Sequence, residues 1–311
     1  MAAPPVSLAG RVAIVSGAGR GLGRAHALAL ARLGANVVVN DIGGEGEMAP
    51  DAPGVVAEIE AEGGEALLST VSVATPEGGR ALVEATLARF GTVDVVVNNA
   101  GFLLNANFED LTPAKIDDVL EIHLKAAFWV TQPAFEVMRD KGHGRIVCTS
   151  SSSGMFGMGG LANYAAAKAG LYGLVRALAV EGAEFGITAN AILPYGNAPW
   201  RGPGAHASRG KAAFDVHHIL GPRLDPSGVA PLVSYLCSDA CAVTGEVYSA
   251  IAGRYARVFV GLTPGWLADD PYAVTADDIA GHLDEIRATD GFWIPASIGE
   301  EMREAADRIS G

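Results

Sequence analysis

Positive charge, cysteine and long apolar runs are all scarce in this chain. Lys and Arg number 22 against 35 Asp and Glu, a net charge of −13. Such a chain is repelled by phosphate backbones and anionic lipid, which argues against a nucleic-acid or membrane-surface binder. A small anionic ligand needs only a local positive patch and stays open. The three cysteines, Cys148, Cys237 and Cys241, show no zinc-like spacing. They are expected to be reduced thiols; a redox pair is the alternative for Cys237 and Cys241, which lie at helical spacing. No stretch reaches the roughly 20 apolar residues of a membrane span. The start, MAAPPVSLAG, lacks the basic residues and apolar run of a signal peptide. The end, DRISG, is not a peroxisomal SKL-type address. The expectation is a soluble, cytoplasmic protein without internal repeats. Its 311 residues, half of them hydrophobic, suffice for one large α/β domain or two small ones.

The first organised stretch is a strand, turn, helix and strand in succession. Val12 to Val15 is a short apolar run of the kind buried in a parallel sheet. It leads into Gly17-Ala18-Gly19-Arg20-Gly21-Leu22-Gly23, an Ala/Leu helix to about Leu33, and a second apolar strand ending at Asn40-Asp41. This is the order of a βαβ nucleotide-binding unit. Gly17, Gly21 and Gly23 let the backbone turn tightly and approach a pyrophosphate, whose charge suits a helix N-terminus. Arg20 is placed to pair with a phosphate. Asp41 stands 18 residues after Gly23, near the place of an acid that binds a ribose 2′-hydroxyl. A carboxylate there repels a 2′-phosphate, so the cofactor expected is NAD and not NADP; the bland alternative is a turn acid. Further on, the strand Val93 to Val97 ends in Asn98-Asn99-Ala100-Gly101, small and amide residues suited to a crevice where a ligand crosses the sheet.

The second informative stretch is 144–170. An apolar strand enters a run of hydroxyls, Thr149 to Ser153, and a Gly-rich loop leads to a helix carrying Tyr164 and Lys168. At spacing i, i+4 the phenol and the ammonium share one helix face. A nearby positive charge favours the phenolate of a tyrosine whose ordinary pKa is about 10, making a proton carrier usable near neutrality. The remaining expectations are helices near 55–63, 76–90, 113–140, 227–238, 276–288 and 299–309, a strand 187–193 closed by Pro194, and a flap over 195–225.

With GxxxGxG, Asp41, NNAG and YxxxK in this order, residues 7–253 resemble the short-chain dehydrogenase/reductase family. The resemblance implies an α/β, Rossmann-type doubly wound sheet of seven parallel strands, a nicotinamide cofactor, and a catalytic Ser, Tyr and Lys. It implies cofactor contacts from Gly17, Arg20, Gly21, Leu22, Gly23, Asp41, Asn99, Ala100, Gly101, Tyr164, Lys168 and Pro194. The family's serine usually lies thirteen residues before its tyrosine, which selects Ser151 from the hydroxyl cluster. Within the family, VVVNDIGG, HLKAAFWVTQPAFEVM, ANYAAAKAGL and APLVSYLC resemble the (3R)-hydroxyacyl-CoA dehydrogenase branch, that of peroxisomal multifunctional enzyme type 2 (17β-hydroxysteroid dehydrogenase type 4). His123 stands where most of the family has Asn, as in that branch, and is a candidate for the proton relay beside Ser151, Tyr164 and Lys168. Tyr195 and Gly196 depart from the usual Pro-Gly after the sixth strand.

The resemblance implies oxidation of a (3R)-hydroxyacyl-CoA to the 3-ketoacyl-CoA, on a fatty acyl or steroid side-chain thioester. A steroid or other lipophilic alcohol without CoA is the alternative, and a non-catalytic NAD-binding protein a more remote one. The flap residues Trp200, Arg201, His206, Arg209 and Lys211 offer apolar surface and charge for such a thioester, or are an ordinary basic face. Residues 1–253 are expected to form the catalytic domain and 254–311 an extension packed on its substrate side. A homodimer or homotetramer through the helices at 113–140 and 162–185 is also expected, and no metal.

Overall fold

Short apolar runs bounded by glycines and amides become the strands of one sheet in the computed structural model, which describes residues 6–44, 50–196 and 220–310. In chain order they are β1 (Val12–Ser16), β2 (Asn36–Asn40), β3 (Ala66–Ser69), β4 (Val95–Asn98), β5 (Gly144–Thr149), β6 (Ile187–Tyr195), β7 (Val247–Ile251) and β8 (Arg254–Val258). In space the order is β3-β2-β1-β4-β5-β6-β7-β8, with β1 to β7 parallel throughout. The strands β1, β4 and β5 are buried at every position, so helices cover both faces and the apolar runs need no alternation. The chain leaves β1 toward β2 and β3, then crosses back to place β4 on the other side. That reversal opens a crevice outside the carboxyl ends of β1 and β4, the position in such sheets where ligands bind.

The helices are α1 (Gly21–Arg32), α2 (Ala52–Ala61), α3 (Pro76–Phe90), α4 (Pro113–Leu120), α5 (Ala126–Lys141), α6 (Ser152–Phe156) and α7 (Ala162–Gly182), with Ala230–Leu236 before β7. Two begin as the sequence dictates, with proline at the first position and threonine before it. Thr75 accepts from the Gly78 N–H at 3.1 Å and Thr112 from the Lys115 N–H at 3.3 Å, which satisfies first-turn donors.

Several elements differ from expectation. An eighth strand follows β7 through Ala252 and Gly253, whose φ values of 52° and 88° are those of a two-residue hairpin turn, so β8 runs antiparallel. The helix expected over 113–140 is interrupted by a π-helical turn at Glu121–Lys125. β6 runs through Pro194, which pairs with Ala250; near a strand end the missing N–H removes little of the ladder. A short helix, α6, stands where a loop was expected after the hydroxyl cluster. Trp200, Arg201, His206, Arg209 and Lys211 lie outside the described residues.

Contacts divide the chain into two compact units, Met1–Arg257 and Val258–Gly311. The second holds helices Ala276–Gly281, Leu283–Arg287 and Ile298–Ser310 and an antiparallel bridge between Leu262 and Trp293. All three cysteines are buried and unpaired. Among the described residues no helix is long and apolar enough to cross a membrane.

One core residue carries a consequence for acid stability. His26, on α1, is fully buried with neither ring nitrogen hydrogen-bonded among the described residues, and burial pushes its pKa down to about 3. The folded state therefore holds it neutral, while the unfolded chain protonates it below about 6.5. Its contribution is intact above that pH and is lost as pH falls from about 6.5 toward 3. Replacing His26 by Leu is expected to flatten the fall of Tm between pH 6.5 and 4, measured by thermal melts of both proteins across that range. An unchanged slope would mean that another group governs acid sensitivity.

Candidate active site

The carboxyl ends of β1 and β4 are joined by side chains that the turn residues supply. The Ser16 hydroxyl accepts from the Asn99 N–H at 3.0 Å and the Ala100 N–H at 3.1 Å. The Asn99 amide returns two bonds, to the carbonyls of Ser16 and Gly17 at 3.0 and 3.2 Å. Gly17 has φ 65°, and a Cβ there would lie 2.8 Å from Ala100 Cα. Gly23 is closer still: a Cβ would sit 2.0 Å from the Gly17 carbonyl oxygen. Both glycines are therefore required by the approach of β1, β4 and α1, and Asn99 with Ala100 belongs to the same cradle.

At the mouth of this cradle α1 presents its N-terminus. Its first turn contains no acidic residue, and Arg20 does not cap it with its side chain, so the first-turn N–H groups of Gly21, Leu22 and Gly23 suit an anion. Asp41 lies beside it, with one carboxylate oxygen accepting from the Gly19 N–H at 3.0 Å and the other from the Gly43 N–H at 3.1 Å. It thus buttresses the glycine turn, the turn-acid role that the sequence also allowed, and each oxygen keeps a lone pair for a ribose hydroxyl. Leu22 lies within 3.3 Å of where a Cβ on Gly196 would stand, which brings the Pro194–Gly196 end of β6 to the first turn of α1. These groups fit a dinucleotide: an uncapped helix start for the pyrophosphate and a carboxylate for the ribose.

The hydroxyl cluster after β5 separates by contact. Thr149 donates to Asn99 Oδ1 at 3.4 Å, and Ser150 donates to the Lys168 carbonyl at 2.6 Å. Ser151 caps α6, accepting from the Ser153 N–H at 3.2 Å with the two hydroxyls 2.8 Å apart. The Ser151 hydroxyl is near enough to the Tyr164 phenol to lower its pKa. The expected trio therefore converges: Ser151 on Tyr164, with the Lys168 ammonium 5.6 Å from the Tyr164 ring centroid.

The electrostatics differ from expectation. Burial foremost raises the Tyr164 pKa, opposed by the nearby Ser151 hydroxyl; the lowering expected from Lys168 is absent. Lys168 is itself buried, which pushes its pKa down to about 7, and its ammonium donates to the Thr149 carbonyl at 2.5 Å. The cation faces the ring and the strand end.

The π-helical turn places His123 against this group. Its ring meets that of Tyr164 edge-on, centroids 4.9 Å apart at 86°. Nε2 faces both the Phe102 N–H, at 3.1 Å, and the closer Phe102 carbonyl. One nitrogen cannot accept and donate at once, and the closer oxygen makes it the donor. Nδ1 is then a bare acceptor, buried and without a partner among the described residues. Burial foremost, with the Lys168 charge, lowers the His123 pKa well below its ordinary value, so the imidazole is neutral. Gly101 leaves room for this ring: a Cβ there would lie 2.0 Å from His123 Cε1. No periodicity in the sequence signalled that turn. Extra turns of this kind occur often at functional sites.

The family described as short chain dehydrogenase matches residues 11–198. Peroxisomal multifunctional enzyme type 2 of Mus musculus is 42% identical over 255 residues, covering 81% of this chain and 33% of that protein. The chain thus spans about a third of that relative's length. A hydroxyacyl-CoA dehydrogenase of Mycobacterium tuberculosis is 40% identical over 253 residues, covering 78% of this chain and 77% of the other. The structure of full-length peroxisomal multifunctional enzyme type 2 from Drosophila melanogaster superposes with a TM-score of 0.79 at 32% identity, covering 98% of this chain and 50% of that one.

Proposed function

Because this chain belongs to the short chain dehydrogenase family and is an oxidoreductase of the kind that uses a nicotinamide cofactor, we propose that it interconverts a (3R)-hydroxyacyl-CoA and its 3-ketoacyl-CoA with NAD. The observation that carries this reading is the convergence of Ser151, Tyr164 and Lys168 beside a cradle suited to a dinucleotide. The hydroxyacyl-CoA relative supports the substrate class.

Ser151 donates a hydrogen bond to the substrate oxygen and stabilises the charge that develops there. Tyr164 takes the alcohol proton in oxidation and returns it in reduction. Its raised pKa keeps the phenol protonated at neutral pH, ready to donate in the reductive direction. The nicotinamide supplies the hydride acceptor and, when oxidised, a positive charge that favours the phenolate. Lys168 anchors the Thr149 carbonyl, and neutral His123 offers Nδ1 to a water that carries the proton away. Exposed Ile116, Phe128 and Val180 on α4, α5 and α7 support association of like subunits through those helices.

The test is an oxidation assay over 3-hydroxyacyl-CoA and steroid side-chain CoA thioesters with matched free alcohols, using NAD⁺ and NADP⁺. Turnover of the thioesters with NAD⁺ supports the reading; turnover of the free alcohols alone favours a lipophilic-alcohol dehydrogenase. Asp41 gives a sharper expectation. Wild type is expected to prefer NAD⁺ over NADP⁺, and Asp41→Ser to lower that preference in kcat/KM at least about tenfold, roughly 1.4 kcal/mol. Equal use of both cofactors by wild type would remove Asp41 from this role.

A further inference from the structure

Asn163 precedes Tyr164 on α7 and is 4% exposed. Its amide spans three elements. Nδ2 donates to the Leu104 carbonyl, in the segment after β4, at 3.2 Å, and to the Lys115 carbonyl, in the first turn of α4, at 2.8 Å. Oδ1 accepts from the Tyr164 N–H at 2.9 Å. Leu161, at the start of α7, offers no side-chain cap, so Asn163 also serves that helix end. A second link lies beside it: the Ala106 N–H donates to the Gly160 carbonyl at 3.2 Å. The loop so tied begins at Gly101 and Phe102. Phe102 binds His123 through its carbonyl, presents a ring 6.1 Å from the imidazole, and is 39% exposed at the rim of the site.

We propose that Asn163 is a positioning residue that fastens the loop 101–111 and the start of α4 to Tyr164, so that the apolar wall of the site and the proton-transferring phenol move as one body. The proposal rests on the reading that Tyr164 transfers the proton. A fully bonded, buried amide can be cut selectively. Asn163→Asp keeps the acceptor toward the Tyr164 N–H and replaces both donors with an oxygen facing two carbonyls. Asn163→Ala removes all three bonds. If Asn163 only capped the helix, the aspartate would be harmless, since a carboxylate is favourable at a helix start. If it fastens the loop, the aspartate loses nearly all of the function.

The experiment measures hydrogen exchange, NADH affinity and steady-state kinetics on wild type and both variants. For Asn163→Asp the expected results are at least tenfold faster amide exchange over 102–107, at least tenfold lower kcat with a 3-hydroxyacyl-CoA, and NADH affinity within about twofold of wild type. Small misplacements of reacting groups have effects of this size or larger. Wild-type exchange in 102–107, or faster exchange with unchanged kcat, would overturn the proposal. Should both variants fail to fold, native-state exchange of the wild type decides: Ala106 and Tyr164 amides are expected to open together with one denaturant dependence, and independent opening overturns the coupling. If wild type turns over no thioester, the assigned reaction fails, while the exchange arms still judge the fastening.

Discussion

Replacing Tyr164 by Phe is expected to lower kcat for alcohol oxidation by about 10²–10⁴-fold, with NADH affinity within about twofold of wild type. The change removes one oxygen from a partly buried ring. It leaves untouched the edge-on packing against His123 and the amide bonds through Asn163. The glycine cradle and Asp41 stand on other elements, so cofactor affinity serves as the internal control. Stopped-flow measurement of the first turnover separates the loss of proton transfer from slow product release. The loss should be similar in both directions, because the same phenol accepts in one and donates in the other. Near-normal turnover by Tyr164→Phe would mean that Ser151 or a water does the proton chemistry and that the tyrosine only packs.

How far this site could be read without coordinates depends on the kind of signal each residue leaves. β1, β4 and β5 were legible because two-sided burial writes an unbroken apolar run. Tyr164 and Lys168 were legible because i, i+4 puts two side chains on one helix face. Ser151 was not distinguishable from its neighbours by any local pattern; its selection needed the spacing of a family. The contacts now separate them, since Ser150 is spent on the Lys168 carbonyl and Thr149 on Asn99. Spacing shows that a lysine is near Tyr164 but not which way its ammonium points, and it points at Thr149. β8 left little trace, being a five-residue edge strand with polar and apolar residues mixed. The π-helical turn left none, because one widened turn barely shifts the apolar period of the helices on either side.

That turn makes the second large effect. Gly101→Ala is expected to lower stability by about 1–3 kcal/mol, the usual range for overpacking a filled site. The backbone itself does not forbid alanine, since Gly101 is absent from the positive-φ glycines. The obstacle is the imidazole: the new Cβ would stand 2.0 Å from His123 Cε1 and 2.5 Å from Nδ1. The ring cannot yield easily, being 5% exposed and tied to the Phe102 carbonyl. It can move only by breaking that bond or pressing on the Tyr164 ring, so activity should fall with stability. A double-mutant cycle isolates the cause. His123→Ala alone opens a cavity and costs stability, but in its background Gly101→Ala should cost little, because the new methyl enters space the imidazole vacated. Denaturant midpoints of wild type, both single variants and the double variant give a coupling of about 1–3 kcal/mol if the clash is the mechanism. Equal costs for Gly101→Ala in both backgrounds would place the requirement for glycine in the backbone or the ligand instead. The glycine that closes the NNAG motif would then owe nothing to His123.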